Sequence, residues 1–280
     1  MSLTASIPEN PAAHDADHVA IVFEDVSLRF DDIVVLDGIS FELKRGETKA
    51  IFGIAGAGKT TILKLALGLI RPDSGRISVL GNDVTQMKEE DLFDLRRKIG
   101  MVFQESALFD SMTVRDNVAF RLIEEGGIAE EEIDNRVREV LRFVELEHTM
   151  KMLPSELSGG MRRRVSIARA IITQPEVILY DSPTGGLDPI TSTTIVELIV
   201  KQRDVYKTSS LLVTHRLQDA FIMATSYFDK AANEMRPIAP DAKADVKTTF
   251  LILKDGKVIL DGDATELTAT KDEYIKEYIA

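Results

Sequence analysis

The sequence predicts an α/β protein built around a phosphate-binding loop, with a mixed central sheet and an antiparallel β region ahead of it. Three observations carry this. Gly53-Ile54-Ala55-Gly56-Ala57-Gly58-Lys59-Thr60 reads G-x-x-x-x-G-K-[ST], with a short apolar strand (Lys49 to Phe52) before it and a helix-forming run (Thr61 to Leu67) after it. Val177-Ile178-Leu179-Tyr180-Asp181 is an apolar run ending in an acid, as in a buried parallel strand whose carboxylate sits at the ligand-binding edge. Between residues 19 and 43, short β-like segments precede the loop.

Composition sets outer bounds. With 280 residues, 44% hydrophobic and 29% charged, the chain has room for one large globular domain or two modest ones. A net charge of −12 and a pI near 4.9 argue against a nucleic-acid partner, which needs a basic face. The absence of cysteine rules out disulfides and thiolate metal sites and fits a reducing compartment. No run of eighteen apolar residues suggests a membrane span, so a cytoplasmic protein is expected, docking on a membrane only through a partner.

In chain order, residues 1–18 are polar and aperiodic and read as a mobile tail; His14 and His18 there read as solvated, not as a metal pair. Two pairs of short strands follow: Val19 to Phe23 and Val26 to Phe30, then, past a turn at Asp31-Asp32, Val34 to Leu36 and Ile39 to Leu43. Phe30 is the aromatic placed to stack on a base. In the loop, Gly56 and Gly58 let successive N–H groups face phosphates, and the helix starting near Thr61 adds its N-terminal partial charge. Lys59 would reach the β- and γ-phosphates and Thr60 would ligate Mg²⁺.

Downstream, Arg76 to Gly81 reads as a strand, Leu92 to Arg97 as a helix and Ile99 to Phe103 as a strand ending at Gln104. Apolar residues at Ile133, Val137, Val140, Leu141 and Val144 mark one face of a surface helix. Ser158 is a natural N-cap for a helix to about Thr173, with Gly159 and Gly160 permitting close approach of a ligand. Arg162, Arg163 and Arg164 read as a solvated face paired with neighbouring acids. A helix is expected after Leu187-Asp188-Pro189, and a buried strand from Ser209 ending in His215, which faces the γ-phosphate in this reading. Residues 229–248 read as a loop insertion, Phe250 to Leu260 as a hairpin with Asp255-Gly256 in its turn, and Glu273 to Tyr278 as a closing helix.

In this order, Phe30, Gly53 to Thr60, Gln104, Leu157-Ser158-Gly159-Gly160-Met161, Val177 to Asp181, Leu187-Asp188 and His215 resemble the ATP-binding subunit of an ABC transporter, over about residues 19–279. The resemblance implies a P-loop NTPase fold of the ABC ATPase type: one ATP-binding domain over 19–280, with a helical subdomain at about 105–173 carrying the Ser158-Gly159-Gly160 signature. It implies that ATP and Mg²⁺ lie between two such domains packed head to tail, the loop of one (Gly53 to Thr61) facing Ser158, Gly159 and Gly160 of the other, with Asp188 also among the nucleotide-binding residues. Thr60, Gln104 and Asp181 would form the metal environment, His215 would contact the γ-phosphate, and the loop after Gln104 would meet a membrane permease subunit.

The wording from Phe103 to Val114, with Leu153 to Arg164 and Leu187 to Thr191, is similar to the Mla/Mce group. Its ATPases drive phospholipid or other lipid movement from the cytoplasmic face of the inner membrane, with a permease and a lipid-binding partner. Importer ATPases for small polar solutes share much of this wording. A soluble ribosome- or chromosome-associated ATPase of the same fold is disfavoured by the single nucleotide loop and the acidic surface.

One departure stands out. The family has Glu after the strand-end Asp, where it polarises the attacking water; here that position is Ser182. Serine cannot act as a general base near neutral pH, and losing such a base typically costs about 10²–10⁴ in rate. Three readings follow: a slow ATPase leaning on His215 with Gln104 placing the water, a nucleotide-dependent clamp or regulatory subunit, or an alteration that traps ATP.

Overall fold

The computed structural model describes residues 19–239 and 247–279. The expected tail at 1–18 and part of the 229–248 segment lie outside the described residues.

The chain opens on a long hairpin, β1 (Val19–Phe30) and β2 (Ile33–Lys44). Each is one strand where the sequence suggested two, because bulges, with Asp25 at φ 51°, interrupt the ladder without ending it. β1 also pairs with β4 (Ser74–Val79), which pairs with the two-residue β5 (Asn82–Asp83), making a four-stranded antiparallel sheet ordered β2-β1-β4-β5.

The second sheet has six strands: β3 (Thr48–Phe52), β6 (Ile99–Val102), β7 (Val177–Asp181), β8 (Ser209–Val213), β11 (Thr248–Lys254) and β12 (Lys257–Gly262), ordered β12-β11-β3-β8-β7-β6. All neighbours are parallel except the β11–β12 hairpin, so the sheet is mixed as expected. That hairpin turns on Asp255 (φ 49°) and Gly256 (φ 76°), the positive-φ pair an Asp-Gly turn supplies.

Alternation along these strands sorts side chains to two cores. Ala50, Phe52, Ile178, Tyr180 and Leu212 join α3 (Val114–Glu125), α4 (Glu130–Phe143), α5 (Gly159–Ile171), α6 (Pro189–Tyr206) and α7 (Leu217–Thr225) in one. Ile51, Leu179, Leu211 and Val213 join α1 (Lys59–Ala66), α2 (Glu89–Arg96) and the antiparallel sheet in the other. A sheet covered on both faces explains why its strands read as continuous apolar runs.

The 229–248 segment is not simply a loop. β10 (Glu234–Pro237) pairs with β9 (Ser226–Asp229), and the Asp229 carboxylate closes the turn by accepting from the N–H groups of Ala231 and Ala232. The polar composition concealed a two-stranded ribbon held by Arg236 between Asp229 and Glu234. Past β12, α8 (Ala264–Ala269), capped by Asp263, was not anticipated; α9 (Glu273–Ile279) was. No described helix is long and apolar enough to cross a membrane.

Candidate nucleotide site

Four loops leave the carboxyl ends of neighbouring parallel strands: Gly53 after β3, Gln104 two residues past β6, Ser182 after β7, and His215 two residues past β8. The carboxyl edge of a parallel sheet is where open α/β folds gather ligand-binding groups. His215 lies beyond its strand, not at its end: the Thr214 N–H reaches back to the Ile51 carbonyl, and the Thr214 hydroxyl then takes the Arg216 N–H, turning the chain.

Gly58 stands at φ 86° as the residue before α1, and a Cβ there would lie 2.9 Å from Leu36 Cδ2 and 3.1 Å from the Val35 carbonyl. Only glycine fits both the backbone and the close approach of β2. The antiparallel sheet thus lies directly against the loop. Phe30, at the end of β1, is 49% exposed, so it is free to meet a ring and is not a buried strand aromatic.

Lys59 Nζ donates to the Gly53 and Ile54 carbonyls, both at 2.7 Å. Burial lowers its pKa, while the charge of Asp181 acts in the opposite sense. Thr60 Oγ1 donates to Asp181 Oδ2 at 3.0 Å, joining the loop to the end of β7. These two hard oxygen donors suit Mg²⁺, which takes one or two protein oxygens together with phosphate and water. Among the described residues no cluster of three or more acids and histidines forms a self-sufficient metal site, so a cation here would need oxygens from elsewhere. Gln104 is exposed.

Ser182 is 5% exposed and sits at φ 48°; its N–H donates to the Val213 carbonyl and its own carbonyl accepts from the Gly185 N–H. A Cβ placed on Gly185 would lie 3.5 Å from Ser182 Cβ and 3.7 Å from His215 Cε1, so Ser182 and His215 flank the same glycine.

Ser158 caps α5 as expected, its hydroxyl accepting from the Met161 N–H at 3.2 Å. Gly159 is exposed, and Gly160 packs so closely on α6 that a Cβ would come 2.4 Å from Thr191 Cγ2. Asp188 caps α6 through the Ile190 and Thr191 N–H groups.

In the arginine triplet Arg162 is exposed and Arg164 pairs with Glu145 at 3.9 Å, as the sequence reading has it, but Arg163 departs from that reading. Arg162 bonds the Leu157 carbonyl and Arg164 the Val144 carbonyl, while Arg163 is buried and bonded to carbonyls at Phe103, Ser182 and Gly185. A helical residue one turn in from a cap faces the sheet here, which local composition does not reveal.

A phosphate loop at the carboxyl edge of a mixed sheet, flanked by an antiparallel sheet and a capped Ser-Gly-Gly helix, defines an ATP-binding cassette. A family profile described as "ABC transporter" matches residues 36–185. The chain is 35% identical over 96% of its length to the protein TRIGALACTOSYLDIACYLGLYCEROL 3, chloroplastic, of Arabidopsis thaliana, covering 76% of it. It is 31% identical over 92% of its length to the intermembrane phospholipid transport system ATP-binding protein MlaF of Haemophilus influenzae, covering 89% of it. It is 42% identical, over 66% of its length, to the methionine import ATP-binding protein MetN of Carboxydothermus hydrogenoformans, covering 55% of it. Among solved structures, a dimeric post-hydrolysis state of the ATP-binding cassette MJ0796 bound to ADP and Pi matches with TM-score 0.72 and 29% identity, covering 87% of this chain and 98% of that one. The chain belongs to the ABC transporter ATP-binding family, as a Mla-like ATP-binding subunit. That family binds ATP, normally with Mg²⁺, and hydrolyses it.

Proposed function

We propose that this chain is the ATP-binding subunit of a lipid transporter, moving phospholipid or a related lipid across a bacterial envelope from the cytoplasmic face of the inner membrane. The observation that supports the nucleotide half is the Thr60–Asp181 hydrogen bond at the mouth of the Gly53 to Thr60 loop, with the Lys59 ammonium held on that loop within reach of the Asp181 charge. The lipid half is supported by the extent of the match. The phospholipid system's ATP-binding protein aligns over 92% of this chain, against 66% to 78% for methionine import proteins, despite lower identity.

In this proposal residues 19–280 form one ATP-binding domain with a helical subdomain at 105–173, and two copies pack head to tail. Phe30 and Gly53 to Thr61 of one copy hold ATP against Ser158, Gly159 and Gly160 of the other, with Asp188 also among the nucleotide-binding residues. Thr60, Gln104 and Asp181 surround Mg²⁺, and His215 reaches the γ-phosphate. The exposed Gln104, Ser158, Asp188 and His215 are then covered only on assembly. The loop after Gln104 meets a permease, and a lipid-binding partner receives or delivers the cargo. Ser182 leaves the site able to hold Mg-ATP but slow to cut it.

Reconstitution of the full chain with its permease in vesicles carrying a fluorescent phospholipid tests this. Mg-ATP should drive movement of the lipid, and phospholipid should raise phosphate release. Stimulation by a polar solute such as methionine, with lipid inert, would refute the lipid assignment and leave the ATPase assignment standing.

A further inference from the structure

Arg163 is a buried cation whose partners are all neutral. It lies one turn into α5, whose start Ser158 fixes, and is 5% exposed. Nη1 donates to the Phe103 carbonyl at 2.9 Å and, more loosely, to the Ser182 carbonyl at 3.4 Å; Nη2 reaches the Gly185 carbonyl at 3.4 Å. Nε is buried with no partner. The charges of Glu105 and Asp181 act on it without a hydrogen bond, and burial lowers its pKa. Burying a charge on carbonyls alone, with one donor unused, is a poor way to gain stability. A planar fork with fixed donor directions is, however, a good way to set several backbone segments at defined separations.

The three carbonyls belong to two segments placed at the site, the loop entering Gln104 and the Ser182–Gly185 turn. Phe103 immediately precedes Gln104, Ser182 immediately follows Asp181, and Gly185 lies beside His215 on the way to Asp188. We propose that Arg163 is a positioning residue for ATP hydrolysis: from the signature helix it fixes the Gln104 loop against the Ser182–Gly185 turn, so that both reach the nucleotide in register. This rests on the ATPase reading above. It adds a route by which displacement of the loop after Gln104 reaches the turn beside His215 within one subunit.

The test compares the full chain with Arg163→Lys and Arg163→Gln, each also in a Ser182→Glu background, where faster turnover is expected. Affinity for a fluorescent ATP analogue, phosphate release at saturating Mg-ATP, and amide exchange over residues 103–112 are measured. Affinity should stay within about twofold while kcat falls roughly tenfold in Arg163→Gln and by less in Arg163→Lys, the size expected when one charge-assisted contact to a positioned segment is lost. Exchange over 103–112 should rise while β7 stays protected. Wild-type kcat in either folded variant overturns the inference. So does a Lys variant in which affinity, melting temperature and kcat fall together, or failure of both variants to fold, since each marks a purely structural role. Failure of the unaltered chain to bind the analogue would instead overturn the ATPase reading, and this inference with it.

Discussion

Ser182→Glu places a carboxylate at the position where the sequence resemblance leads one to expect a general base, and the structure sets the size of the expected gain. A general base contributes about 10²–10⁴ in rate, or roughly 3–5 kcal/mol off the barrier. Against this stands the cost of placing the group. The φ of 48° at Ser182 carries strain of about 1–3 kcal/mol, but serine and glutamate share it and it cancels from the comparison. Burial does not cancel: a site 5% exposed penalises a new carboxylate by up to several kcal/mol unless a cation answers it. Arg163, with Nη1 3.4 Å from the Ser182 carbonyl, answers that charge only in part, because its donors are turned to the Phe103, Ser182 and Gly185 carbonyls. Part of the gain is therefore offset, and a rise nearer 10²-fold than 10⁴-fold is expected in kcat. The assay is steady-state phosphate release at saturating Mg-ATP, with Ser182→Gln as a control of the same shape without a base. Equal rates for serine and glutamate, or an equal rise with glutamine, would refute the reasoning.

Three further outcomes follow from the geometry. Lys59→Ala should weaken ATP binding by roughly 10–150-fold, the worth of a hydrogen bond from a charged donor, read by titration of a fluorescent analogue; unchanged affinity would displace Lys59 from the phosphate site. Gly160→Ala should abolish ATP-dependent dimerisation in sedimentation velocity by driving a methyl into Thr191 Cγ2, and adding Thr191→Ser, which keeps the hydroxyl that bonds Asp188 Oδ2, should restore it. At the buried Arg203–Asp204 pair, burial pushes the Asp204 carboxyl up, but Arg203, the Phe228 N–H and Lys247 together hold it below 3.8. A depressed carboxyl stabilises the fold above its unfolded pKa and loses that contribution as pH falls from about 4 downward. Asp204→Asn should flatten that acid limb in urea titrations and, by leaving Arg203 buried beside a neutral partner, cost about 3–5 kcal/mol near pH 7.

Much of this site was legible because its chemistry is written in contiguous residues. Gly53 to Thr60 specifies its own loop, Ser158 and Asp188 are caps whose side chains bond the N–H groups that follow, and Asp255-Gly256 dictates its turn. Strands β3, β7 and β8 could be read because a sheet covered on both faces demands unbroken apolar runs. What escaped depends on partners distant in the chain. Arg163 reads as solvent-facing until the carbonyls of residues 103, 182 and 185 surround it, and no local pattern announces backbone acceptors. The β9–β10 ribbon escaped because its pairing is fixed by Asp229 and Arg236 rather than by alternating apolar residues. The two halves of β1 looked like separate strands because a bulge resets the side-chain alternation without breaking the ladder.

The division of β3 between two cores bears on how this molecule moves. Ala50 and Phe52 are gripped from the helical side and Ile51 from the other, so the five residues leading into Gly53 have no slack face along which to slide. The phosphate loop is in effect the tip of a fulcrum. Motion that opens or shuts a nucleotide cleft is then expected outside this strand, in the helical layer and the antiparallel sheet on either flank. Cavities made together at Ile51 and Phe52, one in each core, should blunt both arms at once, whereas one made at Val137 or Ile77, each confined to a single core, should slacken only its own.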